Sequence, residues 1–383
     1  MSFPIQVSSR IYVANTYLDR VITLYRGLTL ILGPNGSGKT HLLRGLRQSL
    51  SSYLDGKKIR FLSAGRMGAL EPFRSDFDGN RGGNPRYDET HYGRKSDQAR
   101  RHENETILGD IQTLAARPDI LIKIQERLRK LFQRELTIIW DGGYLRVEFA
   151  HLEGATEPYS SGREASGLLH LVGILSALYD DDVGALLIDE PEVSLHPQLQ
   201  AFLLGEVIAV AGRPAVGSNK KLIVMATHST EMVEIESPQD LASIVFCYDL
   251  AKEPVQIAPT VAELKNKRIQ ELIARLGQEH KLALFSKRPL LVEGPSDVMI
   301  CGALARKTNN HLEAAGSQLL PVIGKGQMAI VAKLFRLLGK QPVLLVDADG
   351  IADGLDLATS VLANNKDADR LASEHGAGSA IEL

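Results

Sequence analysis

Short uninterrupted apolar runs recur along the chain between longer segments in which leucines return at helical spacing. The opening residues alternate strand-like runs with polar turns, and Leu28-Thr29-Leu30-Ile31-Leu32 predicts a buried strand that delivers a glycine-rich loop. A helix is expected over 41–54, a second strand over 59–62, a helix over 106–132 and a hairpin over 135–150. That hairpin turns at Asp141-Gly142-Gly143. A helix over 161–179, strands ending in Leu186-Leu187-Ile188-Asp189 and Leu222-Ile223-Val224-Met225-Ala226, and a strand-like segment over 241–248 follow. After a mixed polar helix over 261–285, a second alternation begins, with strands over 290–292, 319–323 and 343–346 and helices between them. Strands alternating with helices predict parallel sheets, hence an α/β class. No internal repeat is visible.

This pattern divides the chain into a first domain over 1–258, a helical linker over 259–286 and a second domain over 287–383. Within the first, 73–105 is rich in Gly, Arg, Asp and Asn with few apolar residues, which predicts a mobile surface insertion, and 106–133 is its helical part. Arg74, Arg81, Arg86, Arg94, Arg100 and Arg101 lie in that insertion. They either contact phosphates or belong to a solvated loop whose acids offset them, the second reading being favoured.

Composition narrows the class further. With 383 residues, 44% of them hydrophobic, there is material for two ordinary cores. The two cysteines, Cys247 and Cys301, lie far apart without metal-type spacing, which predicts a reducing cytoplasm rather than a disulfide framework. The start, Met1-Ser2-Phe3-Pro4, has no basic region followed by an apolar one, and no apolar run approaches the roughly 20 residues of a membrane helix. A soluble, cytoplasmic protein without membrane partners is expected. A net charge of -2 excludes a strongly basic chain and leaves a local basic face open.

Chemistry enters at Gly33-Pro34-Asn35-Gly36-Ser37-Gly38-Lys39-Thr40, which fits the phosphate-binding pattern G-x-x-x-x-G-K-[ST] between a strand and a helix. Glycines let backbone N–H groups wrap phosphates, Lys39 offsets the β and γ charges, and Thr40 can ligand Mg²⁺. Asp189, at the end of an apolar run, would complete the magnesium shell. Glu190 beside it can orient or deprotonate an attacking water.

With these motifs in order, roughly residues 1–255 resemble the ABC-type ATPases, and more closely the branch containing the SMC, RecF and OLD proteins. Tyr159-Ser160-Ser161-Gly162-Arg163 is similar to the signature loop that caps the γ-phosphate from the opposite subunit, which implies nucleotide contacts for Ser160 and Gly162. Asp189-Glu190-Pro191-Glu192 running into Leu195-His196-Pro197 resembles the extended Walker B of OLD-type ATPases, and His228 matches the switch histidine that touches the γ-phosphate. The signature differs from the Leu-Ser-Gly-Gly-Gln of transporters. No glutamine follows the second strand where the family has its Q-loop, and Arg66 with the arginine-rich insertion stands there instead. The resemblance implies ATP sandwiched between two subunits, hence a homodimer or larger even assembly.

In the second domain Glu293 and Asp297 are spaced i, i+4 after a strand, with Gly294 between them, and Asp347 and Asp349 flank one residue so that alternation projects both to one side. Parallel sheets gather strand ends at one crevice, and four acids there would repel unless hard cations such as Mg²⁺ or Mn²⁺ intervened. The ordered set is similar to the Toprim domain of topoisomerases, DnaG-type primases and OLD nucleases. That resemblance implies that Glu293 is ligand or general base, that Asp347 and Asp349 hold metal, and that Asp297 is the extra acid of the nuclease branch, which supports two metals. Lys325 resembles a basic residue near the scissile phosphate, although a plain surface lysine fits as well. Asp353 and Asp356 are read as polar helix-start residues rather than ligands. A fourth strand would begin at 379–383, so a minimal or shortened Toprim is expected.

An ABC/SMC-like P-loop ATPase followed by a Toprim domain is the OLD architecture. It implies an ATP-hydrolysing, metal-dependent DNA endonuclease of anti-phage type, with DNA and a further defence-system protein or RNA as partners. A topoisomerase is disfavoured because no strand-passage domain or nucleophilic tyrosine region is identified in this length, and a primase because no zinc-binding domain is seen. Two alternatives stand: an ATP-gated scaffold or sensor with an inert Toprim, and a RecF- or SMC-like DNA-repair ATPase. The direction of ATP control is open.

Overall fold

The computed structural model describes residues 2–13, 15–75, 86–154, 157–322, 325–347, 357, 359 and 366–378. Two compact units result: Met1–Ile31 with Lys39–Met232, and Leu32–Gly38 with Val233–Leu383.

In the first unit, strands β1 (Ile5–Val13) and β2 (Thr16–Leu24) pair in an antiparallel ribbon. Alternation turns Ile5, Val7, Ser9 and Ile11 inward, and the helix Lys39–Leu50 packs beneath them. Gly45 permits this approach, since a Cβ there would strike the Ser9 hydroxyl and the Arg10 backbone. β3 (Leu28–Leu32) and β4 (Lys58–Leu62) open the central sheet. The chain then leaves to form an antiparallel sheet of β5 (Arg134–Asp141), β6 (Tyr144–His151) and β7 (Tyr159–Ser160). It returns with β8 (Val183–Asp189) and β9 (Leu222–Ala226), giving a parallel order β3-β9-β8-β4. Every residue of β8 is buried, as a strand covered on both faces requires.

Several elements differ from the pattern reading. The helix expected over 106–132 is two, Ile107–Ala116 and Pro118–Phe132, because Pro118 pushes Arg117 out of helical geometry (φ -128, ψ 82). The helix expected from 161 starts at Ser166, after a single 3-10 turn at Ser161–Arg163. Within the stretch read as a surface insertion, 86–105 has short 3-10 turns at Tyr87–Glu89 and Lys95–Arg100, with Tyr92 and Thr90 buried between largely exposed neighbours. Among its arginines, Arg86 pairs with Glu89, Arg94 with the Tyr144 hydroxyl and Arg101 with Asp182; Arg100 is exposed, and Arg81 lies outside the described residues.

In the second unit, the strand-like stretch 241–248 resolves into a helix Pro238–Ala242 and β10 (Ile244–Phe246), which pairs antiparallel with β11 (Val255–Gln256). The polar helix expected over 261–285 is broken into Ala262–Lys265, Lys267–Ile273 and Gln278–Phe285. β12 (Leu290–Val292), β13 (Leu319–Pro321) and β14 (Val343–Leu344) form a parallel sheet in the order β13-β12-β14, with helices Pro295–Lys307 and Met328–Leu337 in the connections. The expected strand over 379–383 lies outside the described residues.

Lys340 ties these parts together. Its Nζ donates to the carbonyls of Leu284 and Ser286, both at 2.6 Å, and faces the rings of Phe246 and Tyr248 at 5.0 and 5.1 Å. The Tyr248 hydroxyl donates to Leu338 O at 2.7 Å. Residues just after β9 group with the second half of the chain in the unit that holds Leu32–Gly38 and Val233–Leu383. Among the described residues no helix is long and apolar enough to cross a membrane.

Candidate functional site

The phosphate loop is built from backbone conformations that only glycine takes without strain. Gly33, Gly36 and Gly38 have φ of 154, 76 and 94°. A Cβ on Gly33 would collide with the Cys247 carbonyl oxygen, and one on Gly38 would lie 2.5 Å from a Leu250 methyl. Within the loop, Ser37 N–H donates to Pro34 O at 3.3 Å, Asn35 is exposed, and the buried Ser37 hydroxyl has no hydrogen-bond partner among the described residues.

Lys39 and Thr40 begin the helix Lys39–Leu50. The Thr40 hydroxyl donates to the Asp189 carboxylate at 2.9 and 3.2 Å. Asp189 is 4% exposed; burial raises its pKa, against which the Thr40 hydrogen bond and the Lys39 charge act. A hydroxyl and a buried carboxylate in contact form a hard-oxygen pair that fits Mg²⁺, an ion that keeps waters and takes phosphate oxygens for the rest of its shell.

Glu190 follows with φ 48°, a left-handed conformation, and its N–H donates to Ala226 O at 2.9 Å. His228 Nε2 lies 3.6 Å from Glu190 Oε1, too far for a hydrogen bond, and is buried without a hydrogen-bond partner among the described residues. Burial, with Lys39 as the next cause, lowers the His228 pKa and so favours the neutral ring. The loop carrying it is clamped by Glu192, which accepts from His228 N–H at 2.6 Å and from the Thr227 hydroxyl at 2.8 Å.

The signature-like residues form a second cluster. Ser160 Oγ donates to Tyr87 O at 2.5 Å and accepts from Gly162 N–H at 3.2 Å. Gly162 has no room for a side chain, since a Cβ would collide with the Thr90 hydroxyl and lie 2.6 Å from Tyr87 O. Arg74 donates to Ser166 Oγ and to the carbonyls of Ser161 and Glu164, and the Tyr92 hydroxyl donates to Ser161 Oγ at 3.0 Å.

In the second unit, Glu293 and Asp347 stand just beyond the C-terminal ends of the neighbouring strands β12 and β14, and Asp347 N–H donates to Glu293 Oε1 at 3.0 Å. Asp297 sits in the first turn of Pro295–Lys307, where its carboxylate accepts from Gly294 N–H at 2.9 Å. Lys325 starts a 3-10 turn, Lys325–Gln327; its side chain, and Asp349, Asp353 and Asp356 entirely, lie outside the described residues.

Among the described residues, Glu293, Asp297 and Asp347 do not form a trio whose ligand atoms all lie within 4.8 Å of one another, whereas His102, Asp180 and Asp182 do. That trio is already served by cations: Arg117 reaches Asp180 at 3.3 Å and Asp181 at 2.8 Å, and Arg101 reaches Asp182 at 3.2 Å. It is an ion-paired corner.

Sequence reasoning gave no role to Glu192 or Tyr92, and offered Arg74 only as a phosphate contact or a solvated loop residue. A second glutamate two places after Glu190, facing the Thr-His pair in a neighbouring strand end, was the available signal for Glu192. Arg74 and Tyr92 bond partners far along the chain, Ser161 for both, which no local pattern announces.

Comparison with known proteins places these sites in context. Residues 284–349 match the family described as Overcoming lysogenization defect protein-like, TOPRIM domain. Residues 80–234 match an AAA domain described as putative AbiEii toxin, Type IV TA system, and 13–136 match a further AAA domain. The chain is 24% identical over 174 residues to the Old nuclease of Escherichia phage P2, covering 44% of this chain and 28% of that protein. It is 26% identical over 155 residues to Endonuclease GajA of Bacillus cereus (strain VD045), covering 38% of this chain and 23% of that one. The matched stretches thus span about a quarter of those relatives. Among solved structures, an SMC head bound to the C-terminal winged-helix domain of ScpA aligns with TM-score 0.37 and 14% identity, over 67% of this chain and 98% of that one.

Proposed function

We propose that this OLD-family ATPase–Toprim protein is an ATP-hydrolysing, divalent-metal-dependent DNA endonuclease that acts in the bacterial cytoplasm as an anti-phage effector. The observation that carries the reading is Glu293 and Asp347 side by side at the ends of adjacent parallel strands within the OLD-like Toprim match, in a chain that also holds the Thr40–Asp189 pair. The printed names of the two nuclease relatives support it.

At the nucleotide site, Lys39 would offset the β and γ charges, Thr40 and Asp189 would hold Mg²⁺, and Glu190 would take the proton of the attacking water. His228, with the neutral ring favoured and Nε2 free of hydrogen bonds among the described residues, would donate to the γ-phosphate. Ser160 and Gly162 would cap the nucleotide of a second copy in a homodimer or larger even assembly. At the Toprim site, Glu293, Asp347, Asp349 and Asp297 would bind Mg²⁺ or Mn²⁺, with Lys325 near the scissile phosphate. The metal supplies an activated water and charge for the leaving oxygen.

One observation favours a second reading, an ATP-gated scaffold with an inert Toprim: the described acids are spread wider than a compact ligand set. Incubation with supercoiled and linear DNA in Mg²⁺ or Mn²⁺, with and without ATP, separates the two. Cutting by wild type that Glu293→Ala or Asp347→Ala abolishes supports the nuclease. No cutting under any condition supports the scaffold, and ATP-dependent DNA binding without cutting supports a repair ATPase.

A further inference from the structure

β4 and β8 pair in parallel with Leu62 opposite Ile188, so the turn after β4 lies beside the end of β8. Arg66 occupies that turn and is fully buried. Its Nε donates to Ser63 O at 2.8 Å and its Nη2 to the carbonyl oxygen of Asp189 at 3.2 Å. The peptide it holds is the one joining Asp189 to Glu190. On the other side of that peptide, Glu190 N–H is held by Ala226 O at 2.9 Å. Between these two restraints Glu190 takes its left-handed φ of 48°. Such a conformation costs a non-glycine residue about 1–2 kcal/mol and persists only where the surroundings over-determine it.

Arg66 is itself poorly suited to packing. Its Nη1 is buried with no hydrogen-bond partner among the described residues, and the cation lies among Asp110, Arg60, Asp189 and Glu192 without a direct carboxylate hydrogen bond. A buried, partly unsatisfied guanidinium weakens a fold that an apolar side chain of similar length would tolerate better. Retaining it fits a role at the site more readily than a role in stability.

We propose that Arg66 is the positioning residue of the nucleotide site: by fixing the Asp189–Glu190 peptide it aims the Glu190 carboxylate at the water that attacks the nucleotide. This rests on the ATP-hydrolysis reading above. Arg66 touches neither nucleotide nor water in this role, and it acts through Glu190.

The test compares wild type with Arg66→Met, Arg66→Lys, Glu190→Gln and the Arg66→Met/Glu190→Gln double variant, each at full length. Arg66→Met is expected to melt at or above wild type and to bind Mg–ATP within about threefold of it. Its kcat should fall about 30–100-fold, as a misaimed catalytic group produces. Arg66→Lys, which can still donate to the Asp189 carbonyl, should recover part of that loss. In the Glu190→Gln background Arg66→Met should change kcat less than about twofold, because the two residues act as one unit. Amide exchange of a peptide covering 188–193 should quicken about tenfold or more in Arg66→Met. An unchanged kcat, or kcat, ATP affinity and melting temperature falling together, overturns the proposal. If wild type hydrolyses no ATP, the ATPase reading fails on its own, and the exchange measurement still decides Arg66: unchanged protection of 188–193 overturns it.

Discussion

Asp189 shows what one residue contributes to the nucleotide site and what it takes from the fold. Its carboxylate is 4% exposed, and burial raises its pKa despite the Thr40 hydrogen bond and the Lys39 charge. A raised carboxylate pKa means the folded state holds its proton more tightly than the unfolded chain does. Stability therefore falls as pH rises from the unfolded value of 3.8 through the folded value, and at neutral pH the full cost of the charge is present. Asp189→Asn keeps an acceptor for Thr40 and removes the charge. It is expected to stabilise the metal-free protein by on the order of 1 kcal/mol in urea denaturation while ending ATP turnover. Destabilisation of the metal-free protein would show that the charge is already compensated. Residues of this kind were legible in the sequence because their motif is local: eight consecutive positions for the phosphate loop and an acid pair closing an apolar run. Glu192 and Arg66 were not read as working parts, because each acquires its role from partners brought in by other strands, Thr227 and His228 for the one and the Asp189 carbonyl for the other.

At the scale of elements, the strands were readable and the boundaries of helices less so. Buried parallel strands announce themselves as apolar runs, and all of β3, β8 and β9 fall where the pattern put them. The break at Arg117-Pro118 follows from a proline that the leucine spacing alone ignores. The buried positions within 86–105 escaped notice because few apolar residues anchor that stretch. Tyr92 and Thr90 are buried, and polar side chains such as Gln112, which donates to Tyr92 O at 2.7 Å, do much of the holding. Lys340 is the same kind of anchor in the second unit, joining β10, the helix Gln278–Phe285 and the turn after Met328–Leu337. Burial lowers its pKa to about 7. For a lysine with a depressed folded pKa, stability is greatest above the unfolded value of 10.5 and is lost as pH falls toward about 7. The stability of wild type relative to Lys340→Met should therefore rise between pH 7 and pH 9, by on the order of 1–2 kcal/mol. Chemical denaturation at both pH values measures it, and a difference that does not change with pH would mean that Lys340 is not carrying a strained charge.

For the molecule as a whole, the sequence suggests two candidate sites, and the described residues cover them with unequal completeness. The ATPase side is supported by a phosphate loop, an oriented acid pair and a clamped histidine, all tied to named partners. On the Toprim side, Asp347 N–H donates to Glu293 at neighbouring strand ends and Asp297 caps its own helix, while Asp349, which alternation pairs with Asp347, lies outside the described residues. Spacing along the chain puts acids at the strand ends, and the distances between them depend on how neighbouring strands and turns pack, which spacing does not encode. Coupling of the nucleotide site to phosphodiester cleavage is tested most directly by one titration: the nicking rate of supercoiled plasmid in Mg²⁺ or Mn²⁺ against ATP concentration, for wild type, Glu190→Gln and Glu293→Ala. The expected result is a wild-type rate that changes at least about tenfold between no ATP and saturating ATP, that Glu190→Gln holds at its ATP-bound level, and that Glu293→Ala reduces to background. A nicking rate indifferent to ATP, or one that survives Glu293→Ala, would contradict it.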